Sequence, residues 1–162
     1  MGLKVAIVGL ADDTRGEIPW DSDWEIWGLP WDGDYARYDR LFEIHDIRML
    51  SDSHMNRLED VWVPLYMMYG DLPNATPYPF DEVVGMVGDY FESSLSYMVA
   101  LAIFEGAEEI GLWGVTMSDD YWLQRPNMEY LLGFAKGRGI KVSIPDKCPL
   151  LKHETERYGT WQ

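Results

Sequence analysis

Residues 92–115 read ESSLSYMVALAIFEGAEEIGLWGV, and this stretch decides the fold. Leu95, Met98, Val99, Ala102 and Ile103 recur at helical spacing. Ser93 or Ser94 suits the N-cap, and Gly106 suits the C-terminal stop. Residues 109–115 (EIGLWGV) then read as a buried strand. Further on, residues 127–136 form a second helix that ends at Gly137 and Gly139. Residues 140–144 (IKVSI) form a last strand, halted by Pro145. Helices that alternate with strands predict right-handed crossovers and parallel pairing.

Upstream, residues 4–10 (KVAIVGL) are a β-branched run closed by Gly9, a buried first strand. Residues 11–23 are polar, with a Gly and a Pro, and read as loop. Residues 24–28 (WEIWG) and 41–45 (LFEIH) are the second and third strand candidates. Residues 62–68 are a fourth, weakened by Pro64. Residues 72–79 hold three prolines and read as loop; residues 80–87 read as a short helix. The expectation is an α/β fold: a Rossmann-like three-layer sandwich with a mostly parallel central sheet, one domain over residues 1–162.

The chain carries 13 basic and 28 acidic residues, a net charge of −15. Such a surface repels phosphate backbones and disfavours direct duplex DNA or RNA binding. A small nucleotide is still allowed, because a few backbone N–H groups suffice to hold it. The lone cysteine, Cys148, precludes an internal disulfide and suits a reducing compartment. No secretory h-region follows Met1, and no apolar run is long enough to span a membrane. A cytoplasmic protein is expected. Eight Trp and ten Tyr exceed what one small core holds. Trp20, Trp24, Trp27 and Trp31 could stack on a ring, fill the core or meet another subunit, so a homo-oligomer is expected.

In parallel sheets, ligands sit beyond the carboxyl ends of the strands. That rule selects the loops after Gly9, after Gly28, at His45–Asp46 and after Gly114, together with the helix start at Ser93–Ser94. The first loop is neither GxGxxG nor a P-loop. Its ligand-binding candidates are Gly9, which permits close backbone approach, with Asp12, Thr14 and Arg15; the alternative is a solvated loop. Ser93 and Ser94 can hold phosphate at a helix N-terminus or act as plain caps. His45 is a candidate general base. Adjacent strand residues face opposite sides, so Asp46 need not touch it. His54 and His153 lie in polar stretches and read as surface residues. No His or Cys spacing fits a metal site. Residues 117–129 (MSDDYWLQRPNME) supply Asp119 and Asp120 for acid–base work, Tyr121, Gln124 and Arg125 as ligand contacts, and Glu129 as a nucleophile. Their other reading is a solvated loop with acidic residues near a helix N-terminus.

Ser93 to Ala102, then Gly106-Ala107, then Glu109 to Val115 resemble two related groups: bacterial CMP-sialic-acid-dependent sialyltransferases and the 6-hydroxymethylpterin diphosphokinase-like family. Residues 144–151 (IPDKCPLL) resemble the sialyltransferases' proline-rich closing segment. The Trp-rich loops are also similar to those of small phage and prophage proteins, which would place the chain in a host cytoplasm. The resemblance implies a nucleotide pocket, with phosphate at the first loop and the Ser helix start, and the nucleoside facing Gly28 and Leu29. The family's Gly-Pro-Ser turn is replaced by Gly9-Leu10-Ala11-Asp12. Thr116 stands where its strand-end Asp would be, and no His lies between Gly114 and the last strand. The resemblance therefore carries the fold further than the sialyl chemistry.

Three functions follow as expectations. The first is a nucleotide- or nucleotide-sugar-dependent transferase, with the nucleotide as ligand and no further cofactor. The second is a nucleoside deoxyribosyltransferase-like enzyme, because Glu129 to Ala135 and Gly139 to Val142 resemble that family's nucleophile helix and following strand. The third is a non-catalytic protein that sequesters a nucleotide.

Overall fold

Alternation within KVAIV sets the two faces of the sheet. The computed structural model describes residues 2–31, 33–69, 72–117 and 119–153, with backbone alone at Asp119 and Asp120. In β1 (Lys4–Val8), Val5 and Ile7 enter one apolar cluster, and Ala6 and Val8 enter the other. The strands that follow are β2 (Glu25–Gly28), β3 (Arg40–Glu43), β4 (Leu65–Met67), β5 (Ala75–Pro77), β6 (Glu109–Trp113) and β7 (Lys141–Ser143). Their order is β5-β4-β3-β2-β1-β6-β7, and each neighbouring pair is parallel. The chain walks outward from β1 to β5, then returns to the other side of β1 for β6. The switch point therefore lies between β1 and β6.

Helices cover both faces. On one side α3 (Phe80–Val87), α4 (Ser94–Phe104) and α5 (Arg125–Gly137) pack over Val5, Ile7, Phe42, Ile110 and Leu112. Residues Met98 to Ile103 of α4 are all buried, because the helix lies between the sheet and its two neighbours. On the other side α2 (Asp52–Glu59) packs Leu58 with Leu41 and Leu65. The expected Rossmann-like α/β sandwich is thus observed, with a parallel sheet.

Three local readings need correction. Residues 11–23 are not all loop, since α1 (Asp12–Arg15) opens directly beyond β1. Residues 72–79 contain β5, an edge strand, where Pro77 sacrifices no needed donor. Pro64 precedes β4 rather than interrupting it, and its carbonyl accepts from the Leu41 amide at 2.9 Å. The helix α2 escapes a periodicity reading because its only buried residues are His54 and Leu58, one turn apart.

Arg40 illustrates how the sheet handles a cation on a core face. Its guanidinium lies 4.6 Å from the Trp27 ring centroid and pairs with Glu105 at 2.7 Å and Glu25 at 3.1 Å. Glu109 ties β6 to the edge strand. Burial opposes its ionisation, but hydrogen bonds from Lys141 Nζ at 2.7 Å and Ser143 Oγ at 2.5 Å outweigh that and hold its pKa below the usual carboxylate range. A depressed folded-state pKa adds stability above the unfolded value, and that stability is lost as pH falls through the folded value. Melting temperature should therefore drop on acidification. Glu109→Gln should lessen that dependence; an unchanged acid slope would count against the pairing. Among the described residues, no helix is long and apolar enough to cross a membrane.

Candidate functional site

The switch point opens into a cleft of about 930 Å3 at the carboxyl ends of β1, β3 and β6. Two glycines cross beside it, of which Gly114 lines the cleft and the expected ligand contact Gly9 does not. A Cβ on Gly9 would stand 2.2 Å from the Gly114 carbonyl oxygen, and one on Gly114 would stand 2.6 Å from that of Gly9. Gly114 also holds φ at +65°, a left-handed conformation that suits glycine. The Gly9 amide donates to Trp113 O at 2.8 Å, and the Ala11 amide donates to Gly114 O at 3.0 Å.

This crossing consumes two of the expected phosphate ligands. Thr14 is buried, and its Oγ1 accepts from the Gly114 amide at 2.7 Å. Arg15 donates to the Gly9 carbonyl at 2.7 Å. Neither lines the cleft, and exposed Asp12 does not either. Thr14 ties the β1 loop to the β6 loop, and Arg15 closes the β1 loop back on its own strand end. Gly28 is likewise packing: a Cβ there would stand 2.3 Å from the Tyr38 ring. Its neighbour Leu29 does line the cleft, as do Gly114, Ser93, Ser94 and Gln124.

Ser93 caps α4 through a reciprocal box. Its Oγ accepts from the Ser96 amide at 3.1 Å, while Ser96 Oγ accepts from the Ser93 amide at 2.9 Å. A cap of this kind contributes about 1 kcal/mol. The box leaves the first-turn amides of Ser94 and Leu95, both cleft residues, for a ligand. So capping and anion binding coexist here. Gln124 adds a buried Oε1 with no hydrogen-bond partner among the described residues. Burial raises the pKa of the cleft residue Tyr97, so its hydroxyl is a neutral donor. No Lys or Arg is among the described lining residues.

The chemistry-bearing cluster lies at the end of β3. Glu43 is only 2% exposed, yet it is a carboxylate. Its Oε1 lies 2.5 Å from His45 Nδ1 and accepts the His45 amide at 3.1 Å. Its Oε2 lies 2.8 Å from Nε2 of His54, although the ring is off the line of an aligned hydrogen bond. His45 is 55% exposed at the cleft, while His54 is buried. Sequence reasoning placed His54 on the surface and overlooked Glu43. The signals were present: alternation that parts His45 from Asp46 puts Glu43 on the side of His45, and His54 stands four residues before buried Leu58. Asp46 instead caps the next turn and pairs with Arg48.

Glu129 is not in this site. Its Oε1 accepts from Arg125 Nε at 2.9 Å and from the Leu151 amide at 2.9 Å. Arg125 also donates to Pro149 O at 2.9 Å. The pair fastens the C-terminal segment to α5, and neither residue lines the cleft. Cys148 helps from the same segment: its buried thiol donates to Val115 O at 2.9 Å. Glu129→Gln should lower stability by about 1 kcal/mol, or 2–4 °C, as a partly exposed pair. Ligand binding should be unchanged; a lost ligand titration would return Glu129 to the site. The expected acid–base residue Asp119 lies at the start of a 3-10 helix, and its side chain, like that of Asp120, lies outside the described structure. Of the four tryptophans, Trp27 is core, Trp20 and Trp24 pack edge-on against Tyr38 and Trp113, and Trp31 lines the cleft.

No protein-family model matches the chain, and no curated protein matches it. Solved structures do. The chain is similar to the sialyltransferase CstII from Campylobacter jejuni in complex with the substrate analogue CMP-3FNeuAc, with a TM-score of 0.60 and 17% identity, over 90% of this chain and 80% of that one. The same enzyme with cytidine-5'-monophosphate gives a TM-score of 0.57 and 17% identity, over 89% and 79%. A CST-II complex with trisaccharide acceptor and CMP gives 0.59 and 17%, over 90% and 81%. At these identities the likeness is one of fold alone, a parallel sheet covered by helices on both faces. Neither the pterin-diphosphokinase-like resemblance nor a phage origin gains support from these structures.

Proposed function

We propose that the protein is a transferase that moves a sugar or related group from a nucleoside monophosphate donor to an acceptor hydroxyl. The observation that carries this reading is His45 at the cleft, backed by the buried carboxylate of Glu43. A carboxylate on Nδ1 leaves Nε2 as the ring nitrogen able to take the acceptor's proton. The phosphate would sit on the Ser94 and Leu95 amides at the α4 N-terminus. One helix terminus, with no Lys or Arg among the described lining residues, suits one phosphate better than a di- or triphosphate. The unpartnered Gln124 Oε1 would accept a donor group of the ligand.

Carbon–oxygen bond cleavage at the donor's anomeric carbon releases the nucleoside monophosphate. The acceptor oxygen forms the new bond, and its proton goes to His45. The CMP and CMP-sugar analogue complexes of the structural neighbours support this choice of ligand class.

Calorimetric titration with CMP, UMP, AMP and GMP, then incubation with their sugar conjugates, tests the reading. Binding of a monophosphate and release of it from a conjugate are expected. No binding at millimolar ligand would overturn it. Tight binding with the conjugate recovered intact would replace it with a sequestering role.

A further inference from the structure

We infer that His54 is a positioning residue, acting through Glu43 to hold His45 in its base-competent tautomer; this rests on His45 being the base of the proposed transferase. The argument starts from Glu43. A carboxylate buried this deeply is unfavourable unless its oxygens are met. His45 meets Oε1 twice, through its ring at 2.5 Å and its amide at 3.1 Å. That leaves Oε2, and the group standing 2.8 Å from it is His54 Nε2.

An ionised carboxylate only accepts hydrogen bonds. His45 must therefore present N–H to Glu43 from Nδ1, while a proton on His54 Nε2 faces Oε2 as a close charge contact rather than an aligned hydrogen bond. The proton on Nδ1 leaves the lone pair of His45 on Nε2. His54 itself does not line the cleft, so it acts only through the carboxylate.

Local structure fixes His54 in place. Ser51 caps α2 and takes the His54 amide at 3.3 Å. Leu58, one turn on, anchors the same face in the core. The Trp31 ring stands edge-on to the imidazole with centroids 4.3 Å apart. With His45 on Oε1 and His54 beside Oε2, the two rings bracket the carboxylate. Without His54, Oε2 loses the charged group that stands nearest to it. Glu43 can then rotate, and His45 loses the acceptor that selects Nδ1–H.

The test is 15N–1H two-bond correlation NMR on histidine-labelled protein, in which three histidines give three resolvable rings. In the wild type, His45 should be the Nδ1–H tautomer and His54 should carry a proton on Nε2. A wild-type His45 in the mixed state of a free imidazole, or a His54 without a proton on Nε2, overturns the inference with no variant needed. In His54→Leu, His45 should relax towards the Nε2–H form. In His54→Gln, whose amide can still donate, the Nδ1–H form should return. If His54→Leu does not fold, the wild type and His54→Gln decide between them. A folded His54→Leu with the His45 tautomer unchanged also overturns it. Where a donor has been found, kcat should fall about 10-fold to 100-fold in His54→Leu at constant KM, taking the scale seen when an outer partner of a metal-bound histidine is removed. Failure of every nucleotide to bind would sink the transferase reading and leave the NMR result standing on its own.

Discussion

His45→Ala is expected to lower the rate of group transfer by about 10²- to 10⁴-fold, the usual contribution of a positioned general base. The size follows from the geometry. Removing the imidazole leaves the acceptor hydroxyl to surrender its proton to water. It leaves the phosphate subsite on α4 intact, so nucleotide affinity should hold. Fold should hold too, because His45 is more than half exposed and Glu43 retains its approach to His54. Steady-state kinetics with the donor found by titration, beside a calorimetric Kd for the free monophosphate, separate the two effects. A rate within 10-fold of wild type would remove His45 from the chemistry. Glu43→Gln should act in the same direction, since an amide can turn its NH2 towards Nδ1 and reverse the tautomer.

Gly9→Ala is the largest expected effect on the scaffold. A methyl group there meets a carbonyl oxygen at 2.2 Å, and the obstruction is backbone, which cannot swing aside like a side chain. Overpacking of this kind costs about 3 kcal/mol at the upper end of its usual range. For a chain of this size that is a loss of about 6–12 °C in Tm. The strain would part Gly9 from Gly114 and disturb the hydrogen bonds that Thr14 makes with Gly114 and Arg15 with Gly9. Ligand binding should weaken with stability. Gly16→Ala is the matching control: its φ of −67° is ordinary and no atom lies within 4 Å of the added carbon, so it should be neutral or slightly stabilising. Thermal melts of both variants decide the matter. Equal melting temperatures would show that the two loops do not meet as closely as described.

Those two positions mark how far a linear reading reaches. Gly9 and His45 stand at strand ends, and a strand end is legible from a β-branched run and its terminating glycine or polar residue. The capping serine of α4 was legible for the same reason, because a cap is a contact three residues long. What Gly9 is for was not legible. Its partner is Gly114, over a hundred residues away, and only the β1–β6 pairing brings them together. Thr14 and Arg15 have side chains that suit phosphate, yet the same hydroxyl and guanidinium also suit backbone groups. The crossing of the two loops supplied those groups first.

Sequence alone determined the parallel α/β sheet, the order of its long elements, the serine-capped helix and the strand-end loops where a ligand would sit. These rest on periodicity, turn chemistry and capping, which act within one or two turns of the chain. Tertiary structure alone decided that Glu43 is buried between two histidines, that His54 is core rather than surface, and that Glu129 fastens the C-terminal segment instead of facing the cleft. The physical reason is the cost of burying a charge. A carboxylate at a strand end is solvated or paired according to what the rest of the chain packs against it. For Glu43 that depended on α2, whose one narrow buried stripe carries no periodicity strong enough to announce it.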